Sequence, residues 1–452
     1  MSVAIIGGGV AGLAAAYRLT ALGHAVTVYE AGPRVGGVVR TERRDGFLAE
    51  AGPNSLANPD PQVQALFEEV GLATRQIEAG PAARKRYVVR AGRLVALPAS
   101  PAELLTTRAF SLKGKLAILR EPFVPGADPS LQESVADFVR RRLGGEFLDY
   151  AAGPFVGGIY AGDPASLSVR NALPRLHALE REHGSILRGA LARRRALRAA
   201  GKTMAGGPGR IHSFPTGMGE IPEALAGRLG DRIRTSSLVQ GVRRAASGWA
   251  VRVGGDEARH DAVVFACPAH AFGSLPVETA GPARLAGLAD IPYAPVAVVV
   301  LGFRSEDVTH PLDGFGVLVP AVERRRLLGV LFSSTLFPGR APEGCATLTA
   351  FVGGARQPEL AALDPDALVQ LVRQELGELL GARGEPRFRQ VVRWPRAIPQ
   401  YVLGYDRWLG LMDEIEAANP GLFLAGSYRR GVALPDALCS GLDVATRVAG
   451  AR

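Results

Sequence analysis

The first residues that could do chemistry are the glycines at positions 7, 9 and 12 in VAIIGGGVAGLAAAYRL. They have the spacing GxGxxG, directly after the apolar run Val3-Ala4-Ile5-Ile6 and before a helical stretch over 13–22 that Gly23 stops. A second apolar run over 25–29 ends at Glu30. The pattern predicts a buried parallel strand, a helix and a second strand. In such a unit the first glycine permits a tight turn and the second lets backbone approach a pyrophosphate. The third lets helix and strand pack closely, and the helix N-terminus faces the phosphates. An acid at the end of the second strand suits a ribose diol and repels a 2′-phosphate. The chemistry expected is dinucleotide binding by Gly7, Gly8, Gly9, Val10, Ala11, Gly12 and Glu30; a glycine-rich turn without a ligand is the plainer alternative. A second candidate lies in ARKRYVVRAGRLVALPASP, residues 83–101, which holds five positive charges and no acid. Read as a strand, it puts Arg84, Arg86, Val88 and Arg90 on one face and Lys85, Tyr87 and Val89 on the other. Guanidinium groups bind carboxylates in a fork. A charged edge that resists strand pairing is the alternative.

The stretch EAGPRVGGVVRT, residues 30–41, bears on which dinucleotide is bound. Arg34 and the pair Gly36-Gly37 stand where flavoproteins with two dinucleotide-binding halves add contacts to FAD phosphates, and an NAD dehydrogenase has no need of them. AEAGPNS, residues 49–55, offers a Gly52-Pro53 turn followed by Asn54 and Ser55, suited to backbone contacts with a flavin ring. Residues 422–450 read as a strand over 422–425, a glycine-containing loop and a helix from about 435. Such a helix aims its N-terminus at the N1/C2 oxygen of an isoalloxazine and stabilises the negative charge of reduced flavin. Asp436 reads as a capping residue rather than a chemical one.

The bulk properties set bounds. The chain has 452 residues, enough for two or three domains with real cores. A hydrophobic content of 47% with 21% charged residues excludes disorder. The net charge of +10 suits an anionic partner. No Lys/Arg run is interleaved with aromatics, so nucleic acid is not expected. Cys267, Cys345 and Cys439 form no CxxC, and three cysteines cannot all pair, which suggests buried thiols in a reducing compartment. The N-terminus lacks the basic region of a signal peptide. The later apolar run over 295–303 is too short to span a bilayer. No histidine pattern, triad or metal-ligand cluster is visible.

With these pieces in place, the chain resembles the protoporphyrinogen oxidase family, flavoproteins of haem biosynthesis within the wider amine-oxidase superfamily. GGGVAGL, RVGG and LAGS…GVALPDALCSG are superfamily-wide. FVGGIYAGDPASLSVRNALPRL, RYVVRAGRLVALP, PTGMGEIPEAL, IPYAPVAVVVLGF, DGFGVLVPAVE and IPQYVLGY are more specific. The resemblance implies non-covalent FAD held by the 7–12 loop, Glu30, Val38, Gly52 to Ser55, Val239, Ser427, Val432, Ala433 and Leu434. Pro435 departs from the polar residue usual before Asp436. The resemblance further implies that Arg86 pairs with a propionate of a tetrapyrrole. Phe315, Gly316, Leu318 and Phe351 would pack on the macrocycle, and a backbone carbonyl at Gly157 or Gly158 would accept from pyrrole N–H groups.

The fold class expected is mixed α/β: a Rossmann-like FAD-binding domain, a β-rich substrate domain and a helical membrane-binding domain. By resemblance the FAD-binding domain comprises residues 1–78, 203–268 and 397–452. The substrate domain comprises 79–100 and 269–396, and the helical domain 101–202. GSILRGALARRRALRAAGK, residues 184–202, could lie on anionic lipid, with a solvated basic face as the alternative. SVADFVRRRLG, residues 134–144, reads as an ordinary amphipathic helix. The reaction implied is the six-electron oxidation of protoporphyrinogen IX to protoporphyrin IX in three two-electron steps. Flavin N5 is the hydride acceptor, no catalytic side chain is named, and dioxygen is reduced to peroxide. The expected setting is the cytoplasm or the cytoplasmic side of a membrane, held peripherally; a homodimer and a hand-over to ferrochelatase are admitted as partners. The alternatives are a coproporphyrinogen III oxidase of the same fold, an amine oxidase, and a non-catalytic binding protein on the same scaffold.

Overall fold

The apolar runs of the N-terminal unit form the strands Ser2–Ile6 and Ala25–Tyr29, joined in parallel by the helix Val10–Ala21. The computed structural model describes residues 1–57, 60–128, 131–199, 210–281 and 284–451. The expected boundary at 202/203 and the end of the basic segment at 200–202 lie outside the described residues. Continuous Val/Ile/Ala runs suit strands covered on both faces. The sheet they enter has the order Ile233–Arg234, Ala25–Tyr29, Ser2–Ile6, Ala262–Phe265, Leu422–Leu424, and every pairing is parallel. Three distant parts of the chain thus supply one sheet. The helix Leu434–Gly450 packs against Val10–Ala21, with Gly441 set beside the Ala11 carbonyl where a side chain has no room.

A second sheet has the order Phe388–Pro399, Tyr293–Arg304, Cys345–Gly353, Gly329–Phe332, Gly316–Leu318, Tyr87–Arg90, Arg93–Ala96. One face carries Tyr87, Val89, Val317, Val330 and Ala350 and packs with Leu368, Leu371, Val372 and Leu376 of the helix Pro365–Leu380. Strand alternation turns the other face toward the rest of the molecule. The arginine-rich segment is shorter as a strand than its sequence predicts. Pro81–Arg84 is a 3-10 turn, because proline fixes the backbone there, so Arg84 does not belong to the strand.

Between these sheets in sequence lies a helical section that includes Leu112–Arg120, Val135–Leu143, Gly153–Tyr160, Pro174–His183 and Ile186–Ala199. Val135–Leu143 is less ordinary than its amphipathic pattern suggests. Arg142 is fully buried, 2.5 Å from Glu180, and also bonds Glu121. Glu121 in turn accepts from the Ser185 hydroxyl and from the Ile186 and Leu187 amides at the start of the last helix. Among the described residues, no helix is long and apolar enough to cross a membrane. Removing Arg142 leaves buried Glu121 without its cation and Glu180 with Arg141 alone. Arg142→Ala is therefore expected to cost about 3–5 kcal/mol, read as a lower denaturant midpoint, while exposed Arg140→Ala stays within about 0.5 kcal/mol of the parent.

Candidate active site

Gly7 has φ 108°, and a Cβ there would lie 2.9 Å from the Ala266 backbone. A Cβ on Gly12 would strike the Gly7 carbonyl, so helix and strand meet here as closely as the spacing predicts. Gly9 is different. Its φ is −68°, which any residue adopts, and nothing lies within 4 Å of where its Cβ would sit. The protein itself gives no packing reason for that glycine, and this loop is where backbone would approach a pyrophosphate. Gly8 and Val10 flank it, and Ala11 lies in the first turn of the helix.

Glu30 links this loop to its surroundings. Its carboxylate accepts from the Gly8 amide and from the Gly32 amide, each at 2.7 Å. Its carbonyl accepts from the Ser237 amide at 2.8 Å, which brings the segment leading to buried Val239 beside it. Gly36 donates to the Gly8 carbonyl at 2.8 Å and has φ 98°; Gly37 follows at 58°. Arg34 donates to the carbonyls of Val35 and Gly37, each at 3.0 Å, and so braces this turn. Burial, with the neighbouring charge of Arg40, pulls its pKa down. The Val38 carbonyl backs directly onto Gly52, and Pro53 follows. The Asn54 side chain donates to the Gly52 carbonyl at 3.0 Å, closing the turn that leads to Ser55.

At the C-terminal side, the Ser427 carbonyl accepts from the Tyr401 hydroxyl at 2.5 Å. Val432 precedes Ala433, the N-cap position, and Leu434 is the first residue of the helix. The helix thus begins one residue before the expected start, and Pro435 in its first turn causes no break because its missing N–H is an orphan there anyway. Asp436 stands in the first turn, where a capping acid belongs, and the Ala433 backbone favours its ionised form. Burial raises its carboxyl pKa.

The open face of the second sheet begins beside these loops. Trp394 Nε1 donates to the Ala51 carbonyl at 2.7 Å. Further across, Phe351, Gly329 and Leu318 stand opposite one another on adjacent strands, and Leu318 pairs with Val88. Arg86, two residues before Val88, shares that face. From the Trp394 strand to the Arg86 strand is five spacings, about 24 Å at roughly 4.8 Å each. Gly158 of the helix Gly153–Tyr160 covers this face, its Cα side toward Leu318, and Gly157 beside it faces open space. The Gly157 carbonyl already accepts from the Ala161 amide at 3.0 Å. Gly316 has a packing reason of its own: at φ 151° its Cβ would run into the strand at Val330 and Leu331. Phe351 is half-buried and packs toward Ala161 and Trp394.

Arg86 is the unusual charge. It is half-buried, its guanidinium lies 5.3 Å from the Phe315 ring centroid, and among the described residues it has no carboxylate partner. Burial alone lowers its pKa. Its neighbours are satisfied. Lys85 bonds Asp313 at 2.6 Å, and Tyr87 donates to the same carboxylate at 2.5 Å. Arg90 pairs with Glu146 at 2.5 Å over the Tyr150 ring. Several residues escaped sequence reasoning. Gly329 leaves the floor low between Leu318 and Phe351; its only signal is a glycine inside an apolar strand. Trp394 and Tyr401, which anchor the cofactor loops, carry no local signal.

An open pyrophosphate cradle, an acid at the second strand, a bracing arginine-glycine turn and a helix N-terminus define a flavin-binding fold. The chain belongs to the flavin containing amine oxidoreductase family, whose match spans residues 10–449, and FAD is its cofactor. Among curated relatives it is 37% identical to protoporphyrinogen oxidase 2, chloroplastic/mitochondrial, of Arabidopsis thaliana, covering 99% of this chain and 93% of that one. It is 27% identical to coproporphyrinogen III oxidase of Bacillus subtilis, covering 97% and 96%. A crystal structure from Exiguobacterium sp. 255-15, provisionally named a protoporphyrinogen oxidase, superposes with TM-score 0.84 at 25% identity, covering 100% of this chain and 99% of the other. The protein is therefore an oxidoreductase.

Because Gly9 is open in the protein alone, Gly9→Val separates folding from loading. The variant is expected to keep its apo stability within about 0.5 kcal/mol and to purify without flavin absorbance. A yellow variant with parental FAD content would remove Gly9 from the cradle.

Proposed function

We propose that this chain oxidises protoporphyrinogen IX to protoporphyrin IX, the residues above holding FAD at one end of an apolar sheet face and Arg86 holding a substrate propionate at the other. The observation that carries this is Arg86, a half-buried guanidinium without an acid of its own. Leaving such a charge unpaired is costly unless a ligand supplies the counter-charge. FAD, when bound, supplies the two-electron oxidant, and dioxygen is the acceptor we assign to it. The chain's residues do the rest. Arg86 fixes one rim of the macrocycle in a forked ion pair. Leu318, Phe351 and the Gly157-Gly158 turn of helix give a dry, flat slot in which the ring can turn between successive oxidations. Glycine at 158 and 329 keeps the slot thin. We assign no general base among these positioning groups; the cofactor carries the redox chemistry.

One free guanidinium fits a macrocycle with two propionates better than one with four, which places coproporphyrinogen III second. Aerobic turnover of both porphyrinogens, followed by porphyrin fluorescence, tests the order. A preference for the dicarboxylate is expected, and a preference for the tetracarboxylate would move the enzyme to the other substrate. Arg86→Met is expected to raise KM for protoporphyrinogen by at least about 30-fold, the loss of about 2 kcal/mol of desolvated charge pairing, with a smaller effect on kcat.

The three-domain division is part of the same proposal. Strand membership supports it with one shift: residues 2–6, 25–29, 233–234, 262–265 and 422–424 supply the cofactor sheet and 87–96 and 293–399 the substrate sheet, which passes the expected boundary at 396/397 because Phe388–Pro399 is one continuous strand. We also assign a peripheral membrane contact to the helical section. Leu112, Leu116 and Leu119 are 79%, 65% and 54% exposed on one face of a helix that also carries Lys113, Lys115 and Arg120, and Phe123 follows at 79%. The larger exposures therefore lie on this helix rather than on Leu187 and Leu191 of the arginine-rich one, at 39% and 47%. An amphipathic basic helix of this kind lies in the headgroup layer. Cosedimentation with anionic phosphatidylglycerol vesicles should be lost in Leu116→Glu with FAD content unchanged; equal binding would refute the contact.

A further inference from the structure

Glu50 ends the strand Phe47–Glu50, two residues before Gly52 of the cofactor loop. It is 3% exposed. Its Oε2 accepts from the Thr41 hydroxyl at 2.6 Å, and its Oε1 from the Met218 amide at 2.9 Å. Thr41 Oγ1 also accepts from the Gly219 amide at 2.9 Å. The fourth group facing this site comes from the substrate side. Arg340, 2% exposed, precedes the strand Cys345–Gly353, and its carbonyl accepts from the Leu48 amide at 3.1 Å and from the Thr347 hydroxyl at 2.8 Å. Its Nη2 donates to the Ser213 hydroxyl at 2.6 Å and the Phe214 carbonyl at 3.1 Å. The same Nη2 lies 3.9 Å from Glu50, too far for a hydrogen bond, and Nη1 is buried without a partner among the described residues. Arg43 and Glu220 are the other charges that face Arg340. Two buried charges thus stand in contact but unbonded, with a spare donor beside them.

We propose that Glu50 and Arg340 form a proton-controlled joint that positions the 52–55 loop against the substrate sheet: ionised Glu50 draws the guanidinium into a hydrogen-bonded pair, and protonated Glu50 releases it. Neither residue touches the reacting atoms, so both are positioning residues. The ionised carboxylate is satisfied by Thr41, Met218 and the incoming guanidinium. The protonated carboxyl must turn its O–H onto Thr41 Oγ1, whose own proton then points elsewhere, and it offers Arg340 only a neutral acceptor. A charge-assisted bond is about twice as strong as a neutral one, so the loop is held more firmly in the ionised form. The switch falls in the physiological range. Burial pushes the Glu50 carboxyl up to about 7, opposed by Thr41, Met218 and Arg340.

The inference rests on FAD as cofactor and not on the identity of the substrate, and its test reads cofactor affinity rather than turnover. Equilibrium release of FAD from the holoprotein is followed by flavin fluorescence between pH 5.5 and 8.5. The affinity is expected to rise with pH through a midpoint near 7, by about tenfold for each unit by which FAD lowers the Glu50 pKa. Glu50→Gln, which keeps the hydrogen bonds without the charge, should be flat across this range. Arg340→Met should move the midpoint upward, since the cation that favours the carboxylate is gone. A flat parental profile, or a Glu50→Gln profile that matches the parent, overturns the joint. If Glu50→Gln does not retain FAD, Thr41→Val replaces it: loss of the hydroxyl must raise the midpoint, and an unchanged midpoint overturns the proposal.

Discussion

Everything at the site depends on one seam, the packing of the strand Phe47–Glu50 against the second sheet. Phe47 lies over Gly302 so closely that a Cβ there would come within 2.8 Å of its ring, and it stacks on Phe388 at 5.2 Å between centroids. Leu48 is held by the Arg340 carbonyl and Ala51 by Trp394. Stacked aromatics, a backbone bond, the Arg44 guanidinium on the Arg389 carbonyl and an indole N–H therefore fix how the strand pair Thr41–Arg44 and Phe47–Glu50 meets the second sheet. A flavin ring and a macrocycle have to face each other to within a bond length, and protein interiors are packed densely enough to transmit that accuracy over many residues. The seam is where it is transmitted.

From the seam outward, polarity is arranged by distance. Next to the cofactor loops the Asn54 side-chain amide and the Tyr401 and Tyr405 hydroxyls each donate to a backbone carbonyl. Across the middle of the sheet they are aliphatic and aromatic carbon. Beside the far strand stands Arg86, a half-buried guanidinium without a carboxylate partner among the described residues. A ligand that is apolar at its centre and anionic at one rim matches this gradient. The adjacent charges Lys85 and Arg90 are neutralised by Asp313 and Glu146, so they do not blur it. In a slot with little water, such a selective charge acts at low dielectric and orients the ligand strongly.

Local patterns made the cofactor half legible. Gly7, Gly12 and Gly36 each have steric reasons that spacing alone conveys, and Glu30 falls at the strand end where the motif requires it. Ala262–Phe265 is a continuous apolar run, the pattern of a strand covered on both faces. Arg86 was readable only through resemblance, because alternation cannot distinguish a cation with a partner from one without. Arg90 shows this: it has the same residue type and face, yet Glu146, 56 positions later, claims it. The buried network around Arg142 was hidden for the same reason. Its helix has an ordinary amphipathic pattern, and only tertiary packing shows that one of three consecutive arginines points inward. Glu50 and Arg340 are separated by most of the chain, and a single acid at the end of a four-residue strand carries no periodicity.

The order of strands in the parallel sheet also has a consequence for biosynthesis. Ser2–Ile6 sits at the centre, and its neighbours come from residues 25–29 and 262–265. The outer strand Leu422–Leu424 and the helix that packs on Val10–Ala21 are translated after every other strand of this sheet. A nascent chain on the ribosome thus carries the edge of Ala262–Phe265 uncovered while some 150 further residues are added, a topology of non-local pairings that folds slowly and exposes apolar surface meanwhile. The helix Leu434–Gly450 can dock on Val10–Ala21 only after that wait, and a chaperone that shields a strand edge would have its longest task on this one.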